Sequence, residues 1–177
     1  APAAAIADGS NGQVLTTNGS GVLSFSDMAS GADLYAANPS SATDPTATGA
    51  NAVAIGTQAE ASGTSSIALG FDAVASAALA FAASDGTASG VSSIAIGESA
   101  VAGTASSTIA IGRNTDATGT DALAIGSNAQ STGSESVAIG QSLASGNGSF
   151  AAVIDNNTST YGATGANSIA IGAQSKA

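Results

Sequence analysis

The sequence predicts an all-β solenoid, a parallel β-roll whose coils are each about 14 residues long. Three observations point that way. A tetrapeptide recurs in register, a second apolar element follows it at fixed offset, and the composition holds almost nothing bulky or charged.

The tetrapeptide has the form apolar-Ala-apolar-Gly. It appears as Val53-Ala54-Ile55-Gly56, Ile67-Ala68-Leu69-Gly70, Ile94-Ala95-Ile96-Gly97 and Ile109-Ala110-Ile111-Gly112. It continues at Leu123-Ala124-Ile125-Gly126, Val137-Ala138-Ile139-Gly140 and Ile169-Ala170-Ile171-Gly172. A degenerate copy is Leu79-Ala80-Phe81-Ala82, and another lies around Phe150 to Ile154. Repetition at a fixed period of this kind is the signature of a stacked repeat architecture. Regularly placed glycines break any helical stripe.

The second element reads Gly-x-x-Ala-x-Ala, as at Ala59 and Ala61, Ala73 and Ala75, or Ala100 and Ala102. Two short strands joined by tight Gly/Ser/Asn turns make one coil. The residue between the paired alanines varies through Glu60, Val74, Val101, Asp116 and Gln130, which describes a half-exposed strand. In the first strand Ile94 and Ile96 share one face and Ala95 the other, so both faces are apolar. One roll buries one face of each strand. The Ala face is therefore expected to meet another copy of the chain, with Ala54, Ala68, Ala95, Ala110, Ala124, Ala138 and Ala170 as interface candidates.

Hydrophobic residues are 44% of the chain, mostly Ala, and aromatics only 3%, so the core must be thin. Charged residues are 8%, against about a quarter in ordinary domains. The net charge of −10, with Arg113 and Lys176 as the only cations, excludes a nucleic-acid binder and disfavours an anionic membrane surface. No stretch approaches the ~20 apolar residues of a membrane span, and no signal peptide is visible.

The Ser-x-Ala-Ile-Gly and Ala-x-Ala-x-Gly pattern of residues 47–177 resembles the YadA-like head repeats of trimeric autotransporter adhesins, which bacteriophage fibres also carry. The resemblance implies a left-handed parallel β-roll, an intertwined or side-by-side homotrimer, and an adhesive or spacer role. The chain departs from that pattern at 77–90 and 146–165, where interruptions of the coil are expected. The sequence stops at Lys176-Ala177, inside the second strand of a coil, so further coils or a cap are expected beyond it.

Residues 1–36 read as an N-terminal hairpin module, 37–50 as a Pro/Ser/Thr connector, and 51–177 as the roll. Asn18-Gly19-Ser20-Gly21 between two alternating runs is a hairpin signal. The segment Gly12 to Gly21 resembles a short module of phage tail-fibre and virion structural proteins.

Chemistry is sparse. With neither His nor Cys, the commonest general base, metal ligand and thiol are absent, and no catalytic, cofactor-binding or metal-binding residue is assigned. Asp116 with Asp121, and Asp72 with Asp85, read as solvated charges that keep a fibre soluble. An ice-binding solenoid needs a ladder of Thr, and Thr57, Thr87 and Thr104 form no column. The expected function is that of a structural, adhesive fibre segment on a virion or a bacterial surface, not an enzyme. Its expected partners are itself and a host-surface protein, a glycan or a neighbouring fibre protein. The polar run Asp155, Asn156, Asn157, Thr158 to Tyr161 is the expected contact loop, since insertions in repeats collect on a binding face.

Overall fold

The computed structural model describes residues 13–17, 20–27, 43–153 and 161–177. The chain divides into two compact units, 1–37 and 38–177. In the first, Gln13–Thr17 and Leu23–Asp27 pair antiparallel, Leu15 opposite Phe25. Thr16 Oγ1 donates across this pair to the Ser24 carbonyl at 3.0 Å.

The second unit is a solenoid of two parallel sheets. Nine long strands form one: Val53–Ile55, Ile67–Leu69, Phe81–Ala83, Ile94–Ile96, Ile109–Ile111, Leu123–Ile125, Val137–Ile139, Phe150–Ala152 and Ile169–Ile171. Eight two-residue strands form the other, from Thr46–Ala47 through Val101–Ala102 and Asp116–Ala117 to Leu143–Ala144. Each strand pairs with its counterpart one coil before and after, so like stacks on like: Ile94 on Ile109, Ala95 on Ala110, Ile96 on Ile111. β-branched residues suit the extended backbone, and the glycine after most of the long strands lets the chain turn.

Both turns of a coil need a left-handed residue. In the turn 63–66 the Ser66 N–H donates to the Gly63 carbonyl at 3.2 Å, with Ser65 at φ +55. That is a type II arrangement, and Ser, Asn and Asp fill most such positions. Gly112 shows why glycine closes the long strand. Its φ is +132, and a Cβ there would stand 2.5 Å from the Gly126 carbonyl oxygen one coil on.

The interior is built of very small side chains. Ala68, Ala82, Ala95, Ala110, Ala124, Ala138 and Ala151 from the long sheet face Ala61, Ala75, Ala88, Ala102, Ala117 and Ala144 from the short one, all fully buried. The largest fully buried side chains are Thr108 and Thr115. Several buried hydroxyls turn back on the chain: Ser66, Ser136 and Ser142 each donate to the carbonyl three residues earlier, at 2.8, 2.7 and 2.8 Å, whereas Ser93 Oγ and Ser149 Oγ are buried without a hydrogen-bond partner. A buried hydroxyl bonded this way avoids the cost of an unpaired polar group.

Three expectations change. The connector 37–50 is not wholly outside the roll: Thr46–Ala47 pairs with Glu60–Ala61, because Thr46-Ala47-Thr48-Gly49 carries the short-strand pattern. The coil is not interrupted at 77–90. Phe81–Ala83 pairs with Ile67–Leu69 and with Ile94–Ile96, and Thr87–Ala88 continues the short sheet. There Ser84 takes φ +54 where most other coils have glycine, and residues 84–86 make the turn that 56–59 make elsewhere. In 146–165 the ladder runs on through Phe150–Ala152, which pairs with Ile169–Ile171, so the expected departure from the regular coil is confined to the longer connection between these two strands, part of which lies outside the described residues.

Candidate functional site

Because successive side chains of a strand point to opposite sides, burying Ala95 inside the roll sends Ile94 and Ile96 outward. The same holds along the sheet. Two columns of large apolar side chains run up its outer surface. One passes through Val53, Ile67, Phe81, Ile94, Ile109, Leu123, Val137, Phe150 and Ile169; the other runs beside it from Ile55 through Ile96 and Ile111 to Ile171, with the smaller Ala83 and Ala152 at two of its levels. In the single chain these side chains are half-buried or exposed, and Ile169 and Ile171 are 66% and 63% exposed. A continuous apolar face of this length on a roll otherwise clothed in Ser, Thr, Asn and Gly marks a surface that is covered in use.

The remaining surfaces are mainly polar, with Phe71, Leu79, Val91, Val101 and Val153 as exposed apolar exceptions. The short sheet presents Glu60, Val74, Thr87, Val101, Asp116 and Gln130 in one column. Asp116 stands half-buried between Val101 and Gln130, and burial raises its pKa above the ordinary carboxylate range. Its Oδ1 is buried without a hydrogen-bond partner. Along one edge the turns link coil to coil: Arg113 Nη2 donates to Ser127 Oγ and Asn114 Nδ2 to Asn128 Oδ1, each at 3.4 Å. Among the described residues there is no group of three or more acidic, His or Cys side chains placed to hold a metal. Nor, among them, is any helix long and apolar enough to cross a membrane.

The structure corrects the alanine assignment. Ala68, Ala95, Ala110, Ala124 and Ala138 are fully buried within one chain, Ala170 is 3% exposed, and Ala54 is partly buried against the same core. They cannot also be an interprotomer face. Hydrophobicity did not separate the two faces of the strand, since both are apolar. Size does: two sheets closed by tight turns leave room between them for methyl and hydroxymethyl groups and little more, so the larger residue must point out. Of the expected contact loop, Asp155, Asn156, Asn157 and Thr158 lie outside the described residues. Tyr161 is half-buried and packs against the alanine core, so it is not the freely exposed contact residue expected.

A parallel β-solenoid with one apolar outer face is the architecture of a structural, adhesin-type module. The family model described as YadA head domain repeat (2 copies) matches residues 47–78, 88–115, 117–142 and 163–177, more than half of the chain. The chain belongs to that family. No match among curated proteins was found.

Proposed function

We propose that this chain is a non-enzymatic, structural and adhesive segment of an extracellular fibre, and that it works as a homotrimer of left-handed rolls. The carrying observation is the double column of Ile, Val, Leu and Phe on the outside of the long sheet. Three such faces turned toward one axis cover each other completely, which a closed three-fold ring allows and an open contact does not. The polar turns and short sheet then form the outer surface, offering three identical copies of any contact to a host-surface protein or glycan. The segment Gly12 to Gly21 supports a virion fibre as the setting, and the family match equally supports a bacterial adhesin head.

Light scattering on the purified chain at micromolar concentration tests the assembly. A mass three times 16.3 kDa is expected, and a folded, monodisperse monomer overturns the proposal. Antibody against the roll then assigns the setting by labelling either virions or bacterial cells.

A further inference from the structure

Among the described residues, only one height of the roll carries large apolar turn residues on both edges; elsewhere the turns are small or polar, apart from Val153 on the edge after the long strands. On the edge after the long strands, where other coils carry Thr57-Gln58 or Ser127-Asn128, one coil carries Phe71-Asp72. On the opposite edge, where others carry Thr64-Ser65 or Thr120-Asp121, the same coil carries Ala78-Leu79 and the next carries Val91-Ser92. Phe71, Leu79 and Val91 are 61%, 62% and 48% exposed in the single chain. Leu79 also holds φ +59, a conformation in which Ser, Asn or Asp is less strained. A strained, exposed, branched apolar residue is retained where something uses it.

From these positions we infer a lock between protomers: Phe71 of each chain packs against Leu79 of the partner subunit and Val91 of the partner subunit. The inference rests on the proposed three-fold assembly and adds its corner contacts. Packed sheets lie about 10 Å apart, so each of three faces around an axis stands ~5 Å from it. A triangle of that size has sides of ~17 Å, whereas a three-residue strand spans only ~10 Å. Turn residues must complete each side. Each corner therefore brings the Phe71 edge of one protomer against the Leu79 edge of the next.

A three-fold rotation leaves height unchanged, and Phe71 and Leu79 belong to the same coil. On a lone chain they sit on opposite edges, where no single small ligand covers both. In the ring, one contact repeated three times covers them all. The lock also adds to what the long apolar columns supply. Those columns repeat at most coils, with Ala83 and Ala152 as the small residues of the second one, so two protomers displaced by one coil still meet much the same surface. The level of Phe71 reinforces the correct register.

The chain contains no cysteine, so engineered pairs report the contact directly. Two double variants of the full chain, Phe71→Cys with Leu79→Cys and Phe71→Cys with Val91→Cys, are oxidised and run on a non-reducing denaturing gel. Disulfide formation needs Cβ atoms ~3.5–4.5 Å apart, which neither pair reaches within one chain. Covalent trimers from at least one pair are expected, and none from Ser127→Cys with Leu79→Cys, whose positions stand ~19 Å apart in height. A trimer in light scattering that yields no cross-link from either pair overturns the lock while leaving the three-fold assembly standing. Covalent dimers alone, or equal cross-linking of the control pair, also overturn it. A monomer removes the assembly and the lock together.

Discussion

Ala95 and Ile96 are neighbours on one strand and point to opposite sides of its sheet, so the pair Ala95→Glu and Ile96→Glu separates the inside of a protomer from the space between protomers. Ala95 is fully buried, stacked between Ala82 and Ala110. A glutamate there has no cation to meet, because Arg113 and Lys176 are the only two in the chain and lie on other coils. An uncompensated buried charge costs about 3–5 kcal/mol, a large part of the ~5–15 kcal/mol that holds a typical domain together. For a chain of this size each kcal/mol moves the thermal midpoint by roughly 2–4 °C, so Ala95→Glu should lower it by about 6–20 °C. The cost falls within each protomer and is therefore the same at every protein concentration. Ile96 is half-buried, and a glutamate there reaches water until, in the proposed trimer, three chains close around the axis. Its penalty belongs to association, so the midpoint of Ile96→Glu should recover as concentration rises. Circular dichroism melts across a hundredfold concentration range read both. If instead the loss in Ala95→Glu is the one that fades with concentration, the alanines lie between chains and the two faces of the strand are reversed.

Other substitutions test the coil itself. Gly119→Ala should destabilise by more than ~1 kcal/mol in thermal melts, since a Cβ at that position collides with the Gly133 carbonyl of the next coil. The buried hydroxyls Ser131 and Ser136 approach to 2.6 Å, and their column neighbours Ala117, Ala144 and Ala122 show that methyl groups fit. The double variant Ser131→Ala with Ser136→Ala removes both hydroxyls of that pair but also takes from the Gly133 carbonyl its Ser136 donor, so it should melt below the parent by roughly 1–3 kcal/mol. Asp116 gives a pH dependence. Its carboxyl is raised by burial, so the folded chain binds the proton more tightly than the unfolded one. Its contribution to stability therefore falls as pH rises from the unfolded value through the raised folded value, and then levels off. Asp116→Asn should flatten that part of the stability–pH curve and melt higher than the parent at pH 7; an unchanged curve refutes the assignment.

The period, the strand pairs and the turns are legible in the sequence because each is written by a residue type with a local physical demand. Glycine marks the positive φ after a long strand, Ile and Val mark extended backbone, and Asn, Ser or Asp marks the left-handed turn residue. The hairpin at 13–27 is legible for the same reason. What is not legible follows from tertiary geometry. Ser84 at a glycine position and a turn of three residues hide a regular coil, since the neighbouring ladders enforce a conformation the local sequence does not announce. The inside of the strand is equally silent to hydropathy. It emerges only from the narrow gap between sheets, in which Thr108 and Thr115 are the largest groups accommodated. The level of the proposed corner contact is likewise hidden, because Phe71, Leu79 and Val91 become related only when the coil places them on opposite edges at matching heights.

An interior of alanine and serine has an evolutionary consequence. No side chain inside the roll is shaped to a particular neighbour, and each coil touches only the coils beside it. A duplication or loss of one coding repeat thus lengthens or shortens the rod by a whole step of about 4.8 Å without disturbing what lies beyond. Reach from the surface can drift by copy number alone, under recombination between near-identical DNA segments, while every remaining coil keeps its packing. Lineages carrying such a module are expected to differ in fibre length far more readily than in fibre cross-section.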